Sequence, residues 1–196
     1  MLDNLSKYHV LLASKSPRRR ELLSQLRVQF NVASIGGIDE SYPEDLPRLE
    51  VASYIANKKA DAYISMLRSN ELIITADTVV VLGDRVIGKP KNTDEAVEML
   101  LALSDHTHQV VSGVCLMTVE RRISFTTITD VKFGHISEEE ARYYVENYMP
   151  LDKAGAYGIQ EWIGCVAVES IHGSFYNVMG LPVHQLYKEL LLYAKT

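Results

Sequence analysis

Leu12-Ala13-Ser14-Lys15-Ser16-Pro17-Arg18-Arg19-Arg20-Glu21-Leu22-Leu23 takes an apolar strand through two serines and a proline straight into a helix. Val10 to Ala13 reads as the strand and Pro17 to Leu26 as the helix. Ser16 suits the cap, and proline suits the first helical position because its missing N–H would be unpaired there anyway. The arginines run against the helix dipole, which favours anions at this end. Either the turn is a solvated basic segment, or backbone N–H groups, hydroxyls and guanidinium forks here receive an anion such as phosphate.

Working outward, Val28 to Ser34 alternates like a second strand, followed by the loop Gly36 to Pro43 with Asp39 and Glu40 side by side. Leu49, Ala52, Ala56, Ala60, Tyr63 and Leu67 recur at helical spacing, predicting one long helix from about Pro47 to Leu67. Leu72 to Thr75 reads as a short strand ending at Ala76-Asp77-Thr78, and Val79 to Ile87 as a hairpin turning at Gly83-Asp84. Asn92 or Thr93 caps a helix to about Leu103. Two long strands, His108 to Val119 and Ile123 to Phe133, come next. Ser137 to Glu140 is a capping box opening a helix to Tyr148. Cys165 to Ile171 reads as a strand and Pro182 to Ala194 as a terminal helix. Strands and helices mix without regular βαβ repetition, which predicts an α/β fold with a mixed twisted sheet flanked by helices.

The 196 residues suffice for one domain, or for two lobes sharing a core. A net charge of −5 argues against a general nucleic-acid binder. No apolar run reaches the roughly 18 residues that span a bilayer, and Met1 to Lys7 lacks a signal-peptide core, so a cytoplasmic chain without membrane attachment is expected. Cys115 and Cys165 have no CxxC spacing and read as buried thiols of a reducing compartment.

Asp77 is the second residue with chemistry. A carboxylate ending an apolar strand either caps a turn or faces a cleft, where it would suit Mg²⁺ or activate a water. Glu40, beside Asp39, belongs either to an exposed acidic loop or to a hard-cation site. Lys59 and Lys89 are phosphate candidates, Lys89 the better placed between Gly88 and Pro90. His106 and His108 alternate as strand ligands would, but no third ligand is in view, and the structural reading is preferred over zinc. Asp152-Lys153-Ala154-Gly155-Ala156-Tyr157-Gly158-Ile159-Gln160 is either a plain connection or a loop that approaches a ligand closely.

Together these segments resemble the Maf family of nucleoside triphosphate pyrophosphatases over nearly the whole chain. The likeness rests on Ser14 to Arg19, Ile38-Asp39-Glu40, Ala56 to Ala60, Ala76-Asp77-Thr78 and Gly88-Lys89-Pro90. It continues through His108-Gln109-Val110 with Gly113-Val114, Asp152 to Gln160, and Gly173-Ser174 with Asn177 to Pro182. The resemblance implies a single domain, residues 1–196, of two lobes around a central cleft, akin to inosine triphosphate pyrophosphatases. It implies attack of water on a nucleoside triphosphate, releasing the monophosphate and pyrophosphate. By resemblance Asp77 is the proton acceptor. Glu40 and Asp77 hold a divalent cation, Mg²⁺ or Mn²⁺, and Ser14, Arg18, Arg19, Lys59 and Lys89 hold the triphosphate. Arg18, Thr78 and Gln160 set specificity, and a homodimer is expected.

The 152–160 loop resembles the branch acting on dTTP and UTP. A glutamine amide offers a donor beside an acceptor, the complement of the N–H and carbonyl of uracil or thymine. The other readings are the sister branch acting on 7-methyl-GTP and a nucleotide-binding regulator of division without turnover. Lys15 and Met179 depart from the family pattern, and Trp162 lies where it would alter access to the base.

Overall fold

The computed structural model describes residues 2–193. Seven strands form a mixed sheet: β1 (His9–Ala13), β2 (Phe30–Ala33), β3 (Glu71–Leu82), β4 (Arg85–Ile87), β5 (Thr107–Met117), β6 (Arg122–Phe133) and β7 (Val168–His172). Their order is β2-β1-β3-β5-β6-β7, with β4 paired to β3. β1 runs parallel to both neighbours, Val10 facing Phe30 and Leu72. The β3–β4 and β6–β7 pairs are antiparallel. The helices are α1 (Pro17–Gln25), α2 (Val51–Asp61), α3 (Thr93–Leu103), α4 (Glu138–Tyr148), α5 (Trp162–Ala167), α6 (Phe175–Val178) and α7 (Val183–Tyr193). The expected mixed α/β sheet flanked by helices is what forms. The expected end of the last helix at Ala194 lies outside the described residues.

The chain divides into two compact units. The first holds the residues up to Asp77, Ser112–Thr127 and those from Gly180 on; the second holds Thr78–Val111 and Ile128–Met179. In the first unit Leu12, Leu22, Leu23, Leu72, Ile73, Ile74, Leu186 and Leu190 are fully buried. α2 lies against the sheet with almost no clearance. A methyl group at Gly113 of β5 would come within 2.3 Å of the Ser53 backbone nitrogen. Thr75 of β3 adds a buried hydroxyl bond, 2.6 Å, to the carbonyl of Ala56. These two features, a missing side chain and one hydrogen bond, set how closely α2 sits on the sheet.

The core of the second unit centres on Leu100, Leu103, Phe133, Tyr144 and Ile163. α3 is capped by Asn92, whose side chain accepts from the Glu95 N–H at 2.8 Å. α4 has the expected capping box between Ser137 and Glu140. His108 is buried, with Nε2 2.8 Å from the Tyr157 hydroxyl. Phe133 meets both rings edge-on. Burial pushes the His108 imidazole down to about 4 and raises the Tyr157 phenol.

Three sequence expectations are corrected. The long helix stops at Asp61 and resumes only as a short 3₁₀ turn, Ile64–Met66. Its apolar spacing persists past Ala60, but the ring of Tyr63 is buried by a chain already leaving helical geometry, and its hydroxyl takes the Ile35 N–H at 3.0 Å. Asp77 does not end a strand: β3 passes unbroken from Glu71 to Leu82, because the ladder continues through the two polar residues. Cys165 lies in α5 and is exposed, where Gly164 lets the helix approach the Ile159 carbonyl. His106 is exposed and precedes β5 while His108 is buried, so the two do not share a ligand face. Among the described residues no helix is long and apolar enough to cross a membrane.

Candidate active site

The first unit holds six of the site residues singled out from sequence, Ser14, Arg18, Arg19, Glu40, Lys59 and Asp77. The turn between β1 and α1 is held by serines: Ser14 Oγ accepts the Ser16 N–H at 3.2 Å, and Ser16 Oγ accepts the Arg19 N–H at 3.4 Å. The first turn of α1 contains no acid. Arg19 instead reaches two carbonyls. Its Nε donates to Gly180 at 2.8 Å and its Nη1 to Ala76 at 2.9 Å. Ala76 precedes Asp77 on β3, so the guanidinium is fastened next to the carboxylate. Burial lowers the Arg19 pKa below the usual arginine value, and the charge of Asp77 opposes that shift. Gly180, shortly before α7, thus anchors Arg19 through its carbonyl. Arg18 is half-buried beside it and Arg20 is exposed.

Lys59 comes from the last turn of α2, where a cation suits the helix dipole. Residues two apart on a strand share a face, so Asp77 lies on the face of Thr75, which is the face α2 covers. The Lys59 Nζ meets Asp77 Oδ1 at 2.8 Å and Glu40 Oε1 at 3.0 Å. The Lys59 and Asp77 side chains are 13% and 12% exposed, against 48% for Glu40. One ammonium thus joins a sheltered carboxylate to one open to solvent. The neighbouring pair behaves differently. Asp39 binds Lys58 at 2.8 Å and the Ser41 hydroxyl at 2.7 Å, which hold its carboxyl well below the ordinary range. Of the two adjacent acids, only Glu40 joins the cluster.

The second unit carries Thr78, Lys89 and Gln160. Thr78 is half-buried on β3. Lys89 is exposed after β4, and the carbonyl of the preceding Gly88 accepts the Gly155 N–H at 3.0 Å. That bond joins the Lys89 segment to the loop ending in Gln160, which is exposed. Sequence reasoning passed over the interior of this loop. Lys153 is buried and ion-paired to Asp152 at 2.9 Å and Glu161 at 3.3 Å. The only signal was a lysine among glycines and alanines with acids on both sides. Trp162 is half-buried at the start of α5, its ring edge-on to Tyr143 at 4.9 Å.

A basic turn at a helix start and two carboxylates meeting on one lysine thus lie together in the first unit of a mixed α/β fold. A family model, Maf-like protein, matches residues 9–192, and the chain belongs to that family. A dTTP/UTP pyrophosphatase of Bacteroides thetaiotaomicron is 57% identical over 190 residues, covering 97% of this chain and 98% of that protein. One of Parabacteroides distasonis is 55% identical, with the same coverage. One of Porphyromonas gingivalis is 52% identical over 192 residues, covering 97% and 96%. Among solved structures, a HAM1 protein from Coxiella burnetii covers 96% of this chain and 100% of its own at 14% identity. Its TM-score of 0.47 is too low to bear on the fold.

Proposed function

We propose that this protein is a nucleoside triphosphate pyrophosphatase that hydrolyses dTTP and UTP to the monophosphate and pyrophosphate. The observation that carries the proposal is the Glu40–Lys59–Asp77 cluster with the Arg19 guanidinium fastened beside it. The 52–57% identical relatives bearing that activity in their names support the substrate class.

Asp77 serves as the base that takes a proton from the attacking water. In the free protein Lys59 lies on Asp77; an arriving triphosphate competes for the same ammonium, and its transfer to a phosphate oxygen leaves the carboxylate available to water. Arg19, anchored through two carbonyls, supplies positive charge that need not reorganise during the reaction. Ser14 Oγ accepts a backbone N–H, so its own hydroxyl hydrogen is the donor for a phosphate oxygen. Arg18 and Lys89 are assigned to the triphosphate as well. Thr78 and Gln160 are assigned to base selection, with the Gln160 amide read against the N–H and carbonyl edge of uracil or thymine. Both units are taken as parts of one catalytic domain.

The residues present suit a divalent cation. Two carboxylates reach one cationic point at 2.8 and 3.0 Å, so their oxygens converge, and oxygen ligands are what Mg²⁺ or Mn²⁺ takes. Beyond two carboxylates, the remaining positions of such a hard cation are commonly filled by water and phosphate oxygens. Glu40 and Asp77 would hold it, and when bound it neutralises charge on the phosphates. A soluble nucleotide as substrate, and the free thiols Cys115 and Cys165, support a cytoplasmic setting.

Pyrophosphate release measured with Mg²⁺ tests the proposal, comparing kcat/KM for UTP, dTTP, CTP and 7-methyl-GTP. Preference for UTP and dTTP is expected. Preference for 7-methyl-GTP moves the protein to the sister branch, and tight binding without release makes it a regulator.

A further inference from the structure

The loop that ends in Gln160 is closed from within by a buried charge. Gly155 to Ile159 are buried and Gln160 is exposed. Gly155 and Ala156 both have positive φ, 68° and 56°. For alanine that conformation is unfavourable, so the loop needs restraint from its surroundings.

Lys153 supplies much of it. Its side chain is 9% exposed, and its Nζ pairs with Glu161 Oε1 at 3.3 Å. Glu161 follows Gln160, so this pair joins the two ends of the loop. The Tyr144 hydroxyl donates a hydrogen bond to Glu161 Oε2, and the same hydroxyl accepts the Gly158 N–H at 3.0 Å. Tyr144 is fully buried on α4. The loop is thereby tied at its start, its middle and its end to one hydrogen-bonded group. Apolar side chains of similar volume commonly match or exceed a buried ion pair in stability. What an ion pair offers beyond packing is directional fixing of its two ends.

We propose that Lys153 is a positioning residue: through Glu161 and Tyr144 it holds the backbone at Gln160 so that the amide meets the base in one orientation. The proposal rests on the assignment of Gln160 to base selection. Lys153 touches no reacting atom, so its loss acts on recognition of the base and leaves the hydrolytic step intact.

The test compares wild type, Lys153→Met and Tyr144→Phe. For each, KM and kcat are measured for UTP and CTP, alongside a thermal melt. Wild type showing no preference for UTP over CTP overturns the assignment of Gln160 and, with it, this proposal. Given that preference, Lys153→Met is expected to raise KM for UTP and shrink the UTP-to-CTP ratio of kcat/KM by about ten- to a hundredfold, while kcat changes little. Tyr144→Phe keeps the ring and is expected to shrink the ratio less, in the same direction. An unchanged ratio in folded Lys153→Met, or a loss confined to kcat, overturns the role. Should Lys153→Met fail to fold, Tyr144→Phe decides alone, and an unchanged ratio there overturns the role.

Discussion

The two lysine clusters have the same make-up and differ in how the chain assembles them. Lys59 and Lys153 each bridge two carboxylates. Each lysine is sheltered, and each has one carboxylate partner open to solvent, Glu40 at 48% and Asp152 at 56%. The three groups of the first cluster come from a loop, a helix end and the middle of a strand. Those of the second lie within ten residues of chain. The first therefore depends on the packing of three distant segments, whereas the second closes a single loop on itself.

The comparison is broken most sharply at Asp77. Asp77→Asn keeps the shape and is expected to lower kcat by about 10³-fold with a near-normal melting temperature. Unchanged pyrophosphate release would leave the first cluster merely structural.

The core of the second unit has a pH signature. The His108 pKa falls from about 6.5 unfolded to about 4 folded, so the unfolded chain binds the proton more readily. Stability is therefore full above pH 6.5 and is lost as pH falls toward 4. Between pH 7.5 and 5 the loss from this group is about 2 kcal/mol. Urea unfolding at the two pH values measures it, and His108→Asn is expected to remove that component of the slope.

The seat of α2 comes next in size. Thr75→Val removes the hydroxyl bonded to the Ala56 carbonyl and is expected to cost about 1–2 kcal/mol in urea unfolding. Part of that loss should also show as weaker turnover, because Lys59 rides on the same helix. The smallest effect separates neighbours: Asp39→Asn is expected to leave turnover within about twofold, its partners being a half-buried lysine and a serine outside the Lys59 cluster. Glu40→Gln, by contrast, should raise the Mg²⁺ concentration needed for half-maximal rate. Equal behaviour of the two variants in a metal titration would dissolve the distinction between them.

Local signals were legible in sequence where the physics is local. Ser16-Pro17 opened a helix, Asn92 capped one, and Ser137 with Glu140 closed a capping box. The mixed sheet followed from the irregular succession of strands and helices. Asp77 misled because two polar residues between apolar runs look like a break, while the ladder that carries β3 through them is made by neighbouring strands. The end of α2 misled for a related reason: apolar spacing reports which side faces the core, and Tyr63 keeps facing it after the helix has ended. The meeting of Glu40, Lys59 and Asp77 depends on long-range packing, to which no spacing rule has access. Lys153 was hidden by its type, since a lysine is read as solvated until its partners are seen.

The absence of a side chain at Gly113 sets a tolerance for the first cluster. Ordinary van der Waals contact begins near 3.4 Å, so one added methyl at 2.3 Å would lift α2 by about an ångström. The Lys59 ion pairs are 2.8 and 3.0 Å long, and a displacement of that size would carry them beyond hydrogen-bond distance. A position with no charge and no polar side chain thus behaves as the gauge block of the charged site. Sequence drift in this protein is free to redraw much of the surface of α2, but the spacing beneath it admits only hydrogen.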